Sequence, residues 1–559
     1  MAETTVRQRP GEDTRISGQT ELTVLTATRA YKKEAEDARR TRLKMNEENR
    51  RAYMGQQDWG HKTKGQSTEF LPKTPVAVDQ FVGFIKKALT QFGAYYEVEL
   101  GRNSQSPISG EAIRRLMDCH LDRTLSEDRE STSFPVMVGD AIKVGAMESL
   151  MILKVHGNMV SEPSFNLEGG DVEAIKRSDN KVWHLRVDII RGENYYTDPS
   201  GAGLYKIHST ERDIHYLAKR ADEGIYDKAA VQAVKTSYES RSDEDRAPQE
   251  MGHDESEPPG FRKRVRIDEC WGTLLDEEGN VVLENVFWTV ANDTFVIRKP
   301  TPNPLWHGEH PFIEVPLIRV PFSTWHKALM DHAVQINFAM NELFNLIIDG
   351  GISSVWGIKQ LRVNELEDPR QVSDGIPQGE TLLVKSSLPH SAQVLERVAD
   401  GEVPSDSMAV LEMLSREFAA ASHSSELKMG SLPAKDVLAT EVIELSQSQA
   451  VTLDSIVSDI EREFIQRFLR KAWLTILQNM NDTSSEDVIN AIGINAAFKL
   501  AQMSPAERFV AFSKHCSFKV RGLSAVLARV RDFQKMMALL QVVGQTPLLA
   551  ASFFRRYSP

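Results

Sequence analysis

Positions Leu438, Val442, Leu445, Gln449, Leu453, Ile456, Ile460, Phe464, Phe468, Ala472 and Ile476 follow one another at spacings of three and four. No glycine or proline interrupts Ala434 to Met480, so the pattern predicts one helix about 70 Å long at roughly 1.5 Å per residue. Phe464, Ile465, Phe468, Leu469, Trp473 and Leu477 widen the stripe in its second half, which predicts deeper burial there. The first half carries Ser446, Gln447, Ser448, Gln449 and Thr452, a polar stretch suited to a kink or to contact with a neighbouring subunit.

Other segments repeat the helical period less strictly. Leu22–Tyr53 is helix-prone and densely charged with both signs, the pattern of a solvated surface helix or one that meets a partner. Val78, Phe81, Val82, Ile85 and Leu89 share one helical face, and "GEAIRRLMDCHLDRTL" and "FPVMVGDAIKVGAMESLMILKVHGNMV" read as a mainly helical continuation. Alternation at Trp183, Leu185, Val187 and Ile189 predicts a strand. A charged helical stretch from Glu211 to Ser240 leads into an exposed linker, about 240–260, that is poor in apolar residues. The run 262–300 predicts three or four strands with Glu278-Gly279-Asn280 at a hairpin tip. Ser323–Asp349 predicts an amphipathic helix with Ser323 as N-cap and Gly350-Gly351 as its stop, and Ser405–Ala421 predicts a second. The first helix is rich in amides at Gln335, Asn337, Asn341 and Asn345. Buried amides are costly unless paired, which suits a helix packed against copies of itself with one face towards water.

The chain has 559 residues, enough for three or four domain-sized units. Its hydrophobic and charged fractions, 41% and 26%, are those of an ordinary globular protein. Cys119, Cys270 and Cys516 are far apart, which excludes a disulfide framework and fits a reducing compartment. The polar start "MAETTVRQRPGEDTRISGQT" lacks the apolar core of a secretory signal, and the expected location is cytosolic, with exit only by lysis. Net charge is −12, which disfavours tight DNA binding while permitting loose passage of DNA. There is no GxxxxGK[ST], HExxH or GxSxG sequence. "HGEH" (His307–His310) lacks a third ligand, "LDEEGN" lacks the ligand pattern of a calcium loop, and Glu367/Asp368 read as surface acids ending a helix. No catalytic residue, metal or cofactor is expected.

The order of elements, together with "GQSTEFLPKTPVAVDQF", "YYTDPSGAGLY", "LMDHAVQINFAMNELFNLIIDG" and "LATEVIELSQSQA", resembles the portal (head-to-tail connector) proteins of tailed bacteriophages, of podovirus type. The resemblance covers most of residues 50–535. It implies a mainly α fold with an α+β wing, divided into wing, stem, clip and crown, and assembled as a ring of twelve around a DNA channel. Carried onto this chain, 1–20 is a disordered arm, 21–322 the wing, 323–350 and 403–422 the stem helices and 351–402 the clip. Residues 423–433 become a tunnel loop, 434–483 the long wing helix and 484–559 a helical crown.

The tunnel loop so implied comprises His423, Ser424, Ser425, Glu426, Leu427, Lys428, Met429, Gly430 and Ser431, with Lys428 free to touch the DNA backbone transiently. Stem contacts to the channel or to other subunits are implied for Asp331, Gln335, Asn341, Glu342, Asp349, Asp406, Glu412 and Glu417. Arg362, Glu365, Glu367, Asp368 and Arg370 become the clip's partner contacts. The resemblance further implies a virion vertex as location, host cytoplasm during assembly, and no membrane. Implied partners are the terminase large subunit, tail adaptor and tail proteins, capsid and scaffolding proteins, and double-stranded DNA held weakly and without sequence preference. The alternatives are a cytosolic helical scaffold without a channel, and an enzyme whose constellation is too dispersed to read.

Overall fold

The computed structural model describes residues 18–90, 96–101, 108–122, 124, 133–167, 175–239, 263–356, 358–368, 370, 383–385, 394–399, 406–423, 455–480, 486–513 and 516–520. The chain forms two compact units, one of residues 1–47, 81–329 and 432–559, the other of 48–80 and 330–431. Helices α1 (Gly18–Tyr53) and α2 (Lys73–Thr90) each run from one into the other.

The larger unit continues with β1 (Tyr96–Leu100), α3 (Gly110–Leu121), α4 (Phe134–Met147), β2 (Met151–Leu167), β3 (Ile175–Ile190) and β4 (Tyr195–Thr197). It proceeds through β5 (Tyr205–Asp213), α5 (Ile214–Asp222), α6 (Lys228–Glu239), β6 (Arg264–Leu275), β7 (Val281–Ala291), β8 (Phe295–Pro302) and β9 (Phe312–Val315). Two antiparallel sheets form its centre, ordered β3-β2-β9 and β4-β5-β6-β7-β8. The stretch after α4 is therefore strand and not helix. Glu148 leaves the helix with ψ 160°, and Met151 onward pairs with β3 and β9, so sheet pairing overrides local helical preference. The β6–β7 hairpin turns over Asp276–Asn280, where the Asp276 carboxylate accepts the N–H groups of Glu278 and Asn280. Just after Gly272 the β6–β7 ladder slips, and the Gly272 φ is +139°; a Cβ there would lie 2.2 Å from the Leu204 carbonyl oxygen, just before β5.

Helix α1 is not merely a solvated surface helix. Val24, Ala27, Tyr31 and Ala35 pack on Ile207, Cys270, Trp288 and Val290 of the five-stranded sheet. The charges that disguise this face are themselves paired: Lys32 reaches Asp268 at 2.8 Å and Asp293 at 2.6 Å, and Arg39 lies over the Tyr196 ring at 3.8 Å while donating to the Gly192 carbonyl.

The smaller unit holds α7 (Asp331–Trp356), β10 (Ile358–Leu361), β11 (Leu395–Ala399) and α8 (Ser407–Ala421). α7 starts eight residues after the expected N-cap Ser323. Phe322 takes a left-handed φ of 61°, and an Ile318–Lys327 bridge holds the intervening chain in turns. It also runs past Gly350-Gly351, since glycine inside a helix costs only about 1 kcal/mol and does not by itself stop it. β10 and β11 pair antiparallel.

Back in the larger unit, residues 455–459 are α-helical, Ile460–Ile465 form a π turn, and α9 (Gln466–Asn479) follows. The expected deep burial of the second half is present: every residue from Lys471 to Leu477 is buried. The polar first half with its expected kink, and the rest of the long helix before residue 455, lie outside the described residues. α10 (Glu486–Ile492), α11 (Ile494–Gln502) and α12 (Pro505–Ser513) come next. The following strand β12 (Cys516–Val520) pairs antiparallel with β1, so the segment expected to be helical carries a strand.

Candidate functional site

The helical hairpin α7–α8 with the β10/β11 pair collects most of the residues singled out from the sequence. Asn337, Asn341 and Asn345, four residues apart on α7, are each 0% exposed. Asn345 Oδ1 accepts the Glu69 N–H (2.7 Å) and its Nδ2 donates to the Glu69 carbonyl (2.8 Å). Asn341 Oδ1 accepts the Leu71 N–H (2.9 Å), while Asn337 Nδ2 donates to the Leu71 carbonyl (3.1 Å). Asn337 Oδ1 accepts from both the N–H and the hydroxyl of Thr74. One turn further, Asp349 accepts the Ser67 N–H at 2.7 Å.

The ladder works because two periods nearly agree. Four residues of helix rise about 6.0 Å, and two residues of extended chain about 6.6 Å. Residues 67, 69 and 71 thus present successive backbone groups to one helical face. The buried amides meet the backbone of their own chain.

The other α7 residues are similarly engaged. Asp331 is buried and accepts from Asn49 Nδ2 (2.9 Å), Gln335 donates to Glu48 (2.9 Å), and Glu342 accepts from Gln57 (2.9 Å) with His61 at 3.4 Å. Asn341 and Asp331 are therefore positioning groups inside the unit, away from any exposed surface. Asn337, Asn345 and Ser67 complete the ladder, although sequence reading placed none of them in the site. The signal available was asparagine at i, i+4 and i+8.

On α8, Asp406 sits at the N-cap, Glu412 pairs with Arg416 at 2.6 Å, and Glu417 is exposed. Apolar side chains stand in solvent beside them: Met408 is 64% and Met413 54% exposed on α8, and Leu346 63% on α7. α8 ends at Ala421 with Ser422 as its C-cap, and His423 follows with a φ of 54°. Ser424 to Ser431 lie outside the described residues. In the β10–β11 region Arg362 pairs with Glu365 at 3.6 Å, the Glu367 N–H bonds the Leu383 carbonyl, and the Asp368 carboxylate accepts the Arg370 N–H.

"HGEH" forms a loop in which His307 Nδ1 accepts the Glu309 N–H. Burial, and then Lys471, bring His307 down to about 4; burial, and then Lys206, bring His310 down to about 2. Among the described residues no group of three or more His, Cys, Asp and Glu side chains could hold a metal ion. No described helix is long and apolar enough to cross a membrane.

The α7–α8 hairpin carries the β10/β11 strand pair and is bonded along α7 by the extended chain of residues 67–71. The family model of the phage SU10 portal protein matches residues 72–487, and the chain belongs to that family. The match takes in α2, both sheets, the whole α7–α8 hairpin and α9. No curated protein matches the chain.

Proposed function

We propose that the chain forms a ring of twelve copies at one capsid vertex, with the α7–α8 hairpin as stem and β10/β11 as clip. Through this ring the genome is packaged and ejected. The clip, with Arg362, Glu365, Glu367, Asp368 and Arg370, docks the terminase large subunit and later the tail adaptor and tail proteins; capsid and scaffolding proteins meet the ring elsewhere. The role is structural, and the nucleotide hydrolysis that drives packaging belongs to the separate motor. The protein resides in the virion, and in host cytoplasm during assembly.

The observation that carries this reading is the pair of exposed apolar faces on α7 and α8. Leu346, Met408 and Met413 stand in water in the single chain, and a ring covers them by packing each hairpin against the next, a heterologous contact that closes. Glu412 and Glu417 then face the channel or its rim, where negative charge disfavours tight phosphate contact. His423 to Ser431 form the tunnel loop.

Native mass spectrometry of the purified 62.8 kDa chain tests the assembly. A species of about twelve chains is expected; a stable monomer or dimer under all assembly conditions would sink the proposal.

A further inference from the structure

After β9 the chain of the larger unit makes a closed excursion. An antiparallel bridge joins Ile318 to Lys327, with the Lys327 N–H on the Ile318 carbonyl at 3.3 Å. Inside the loop the Val320 N–H donates to His326 Nδ1 at 3.1 Å, and the Ser323 hydroxyl donates to the Trp325 carbonyl. The Thr324 hydroxyl ties the loop to the turn after β4 through the Pro199 carbonyl, at 3.1 Å. Leu317, Ala328 and Leu329 flank the bridge and are buried, so the loop is rooted in the core at both ends.

At the tip stands Phe322, fully exposed and the most exposed large apolar side chain among the described residues. Its φ is 61°. A bulky L-residue in the left-handed region is an outlier, because its Cβ crowds the following carbonyl oxygen. Glycine takes the same conformation freely. Phenylalanine here is unfavourable twice over, holding a strained backbone and leaving its ring in water. Strain of this kind persists only where the surroundings impose it, and the bridge and hydrogen bonds of residues 318–327 do so. The loop therefore holds out a rigid aromatic knob.

We infer that Phe322 is an anchor that seats in a second copy of this chain, an inference that rests on the ring reading above. The chain enters α7 at Asp331, nine residues after Phe322. Leu346 of that helix already belongs to the exposed apolar face that the ring covers with the next copy, so the knob is continuous along the chain with that contact. Aromatic side chains dominate protein interfaces because each buries a large apolar area. A ring repeats one heterologous contact, so the knob of each copy meets the same hollow on the next and the series closes. Duplex DNA offers no such seat. Aromatic side chains take up bases by stacking only where these are unpaired or prised apart.

Photo-crosslinking of the assembled full-length chain tests the seat, with the photoreactive p-benzoylphenylalanine replacing Phe322. Assembly from a mixture of isotope-labelled and unlabelled chains separates crosslinks between copies from those within one. Crosslinks between copies are expected. Phe322→Gly gives an independent readout, since it relieves the backbone and removes the anchor. The dissociated chain should melt within a few degrees of the native one, while the concentration for half assembly rises about tenfold or more, the size of one lost interface anchor. Rings that form without crosslinks between copies, or that assemble equally well with Phe322→Gly, would overturn the inference and leave the ring reading standing. A chain that forms no ring would remove both. Crosslinks that appear only when capsid protein is added would also overturn the inference, by giving the knob to a different partner.

Discussion

Asn345 satisfies two backbone groups and the Ser67 hydroxyl while being wholly out of water. Its replacement by leucine keeps the volume and strands all three. Each unsatisfied buried polar group costs about 1–3 kcal/mol, so Asn345→Leu is expected to destabilise the smaller unit by at least about 2 kcal/mol in urea titration. Amide exchange at Glu69 and Leu71 should accelerate with it; unchanged protection at both would show that the ladder does not hold the arm. His208 makes a second residue-scale case. Its folded pKa of about 3 lies below the ordinary 6.5, so between these values the unfolded chain binds the extra proton. Stability contributed by the neutral ring is complete above pH 6.5 and falls as pH drops towards 3, by about 1.4 kcal/mol per pH unit. His208→Gln should flatten that part of a stability-versus-pH curve, leaving the plateau above pH 7 least affected in slope.

At the scale of elements, the sequence showed the strands of the β6–β7–β8 meander through β-branched and aromatic residues on both sides of the Asp276–Asn280 turn, and the deeply packed α9 through its broad apolar stripe. It failed at α1, where Lys32 and Arg39 occupy buried positions that only remote partners, Asp268 and the Gly192 carbonyl, make affordable. It failed again at β2, whose pairing partners lie elsewhere in the chain. The π turn Ile460–Ile465 was also illegible: an unbroken spacing of three and four carries no mark of one widened turn. In the hairpin, the amide-rich face of α7 was visible and its partner was not, since nothing local links Asn341 to Leu71. The opposite faces of α7 and α8 lead to a prediction of their own. Leu346→Lys with Met413→Lys should leave the melting temperature of the chain within a few degrees, because both side chains are already exposed. Ring formation, read by native mass or by electron microscopy, should be lost. Intact rings from the double variant would remove the hairpin faces from the subunit interface.

For the whole molecule the decisive quantity is how weakly it holds what it conducts. A conduit that neutralised many phosphates would release many counterions on binding and grip the duplex, with affinity falling steeply as salt rises. The net charge of −12 and the exposed Glu412 and Glu417 on α8 work against such a grip, and Arg416 is held by Glu412 at 2.6 Å. Reversing both acids tests the balance directly. In a ring of Glu412→Lys, Glu417→Lys chains every subunit brings two new cations, and each phosphate newly contacted adds about 0.9 to the slope of log affinity against log salt. Duplex binding, expected to be weak for the native protein at physiological salt, should become strong at low salt with a markedly steeper slope, and packaging should slow. If the reversed ring binds and packages duplex DNA as the native one does, these acids face neither the channel nor its rim, and the stem must present another surface to the DNA.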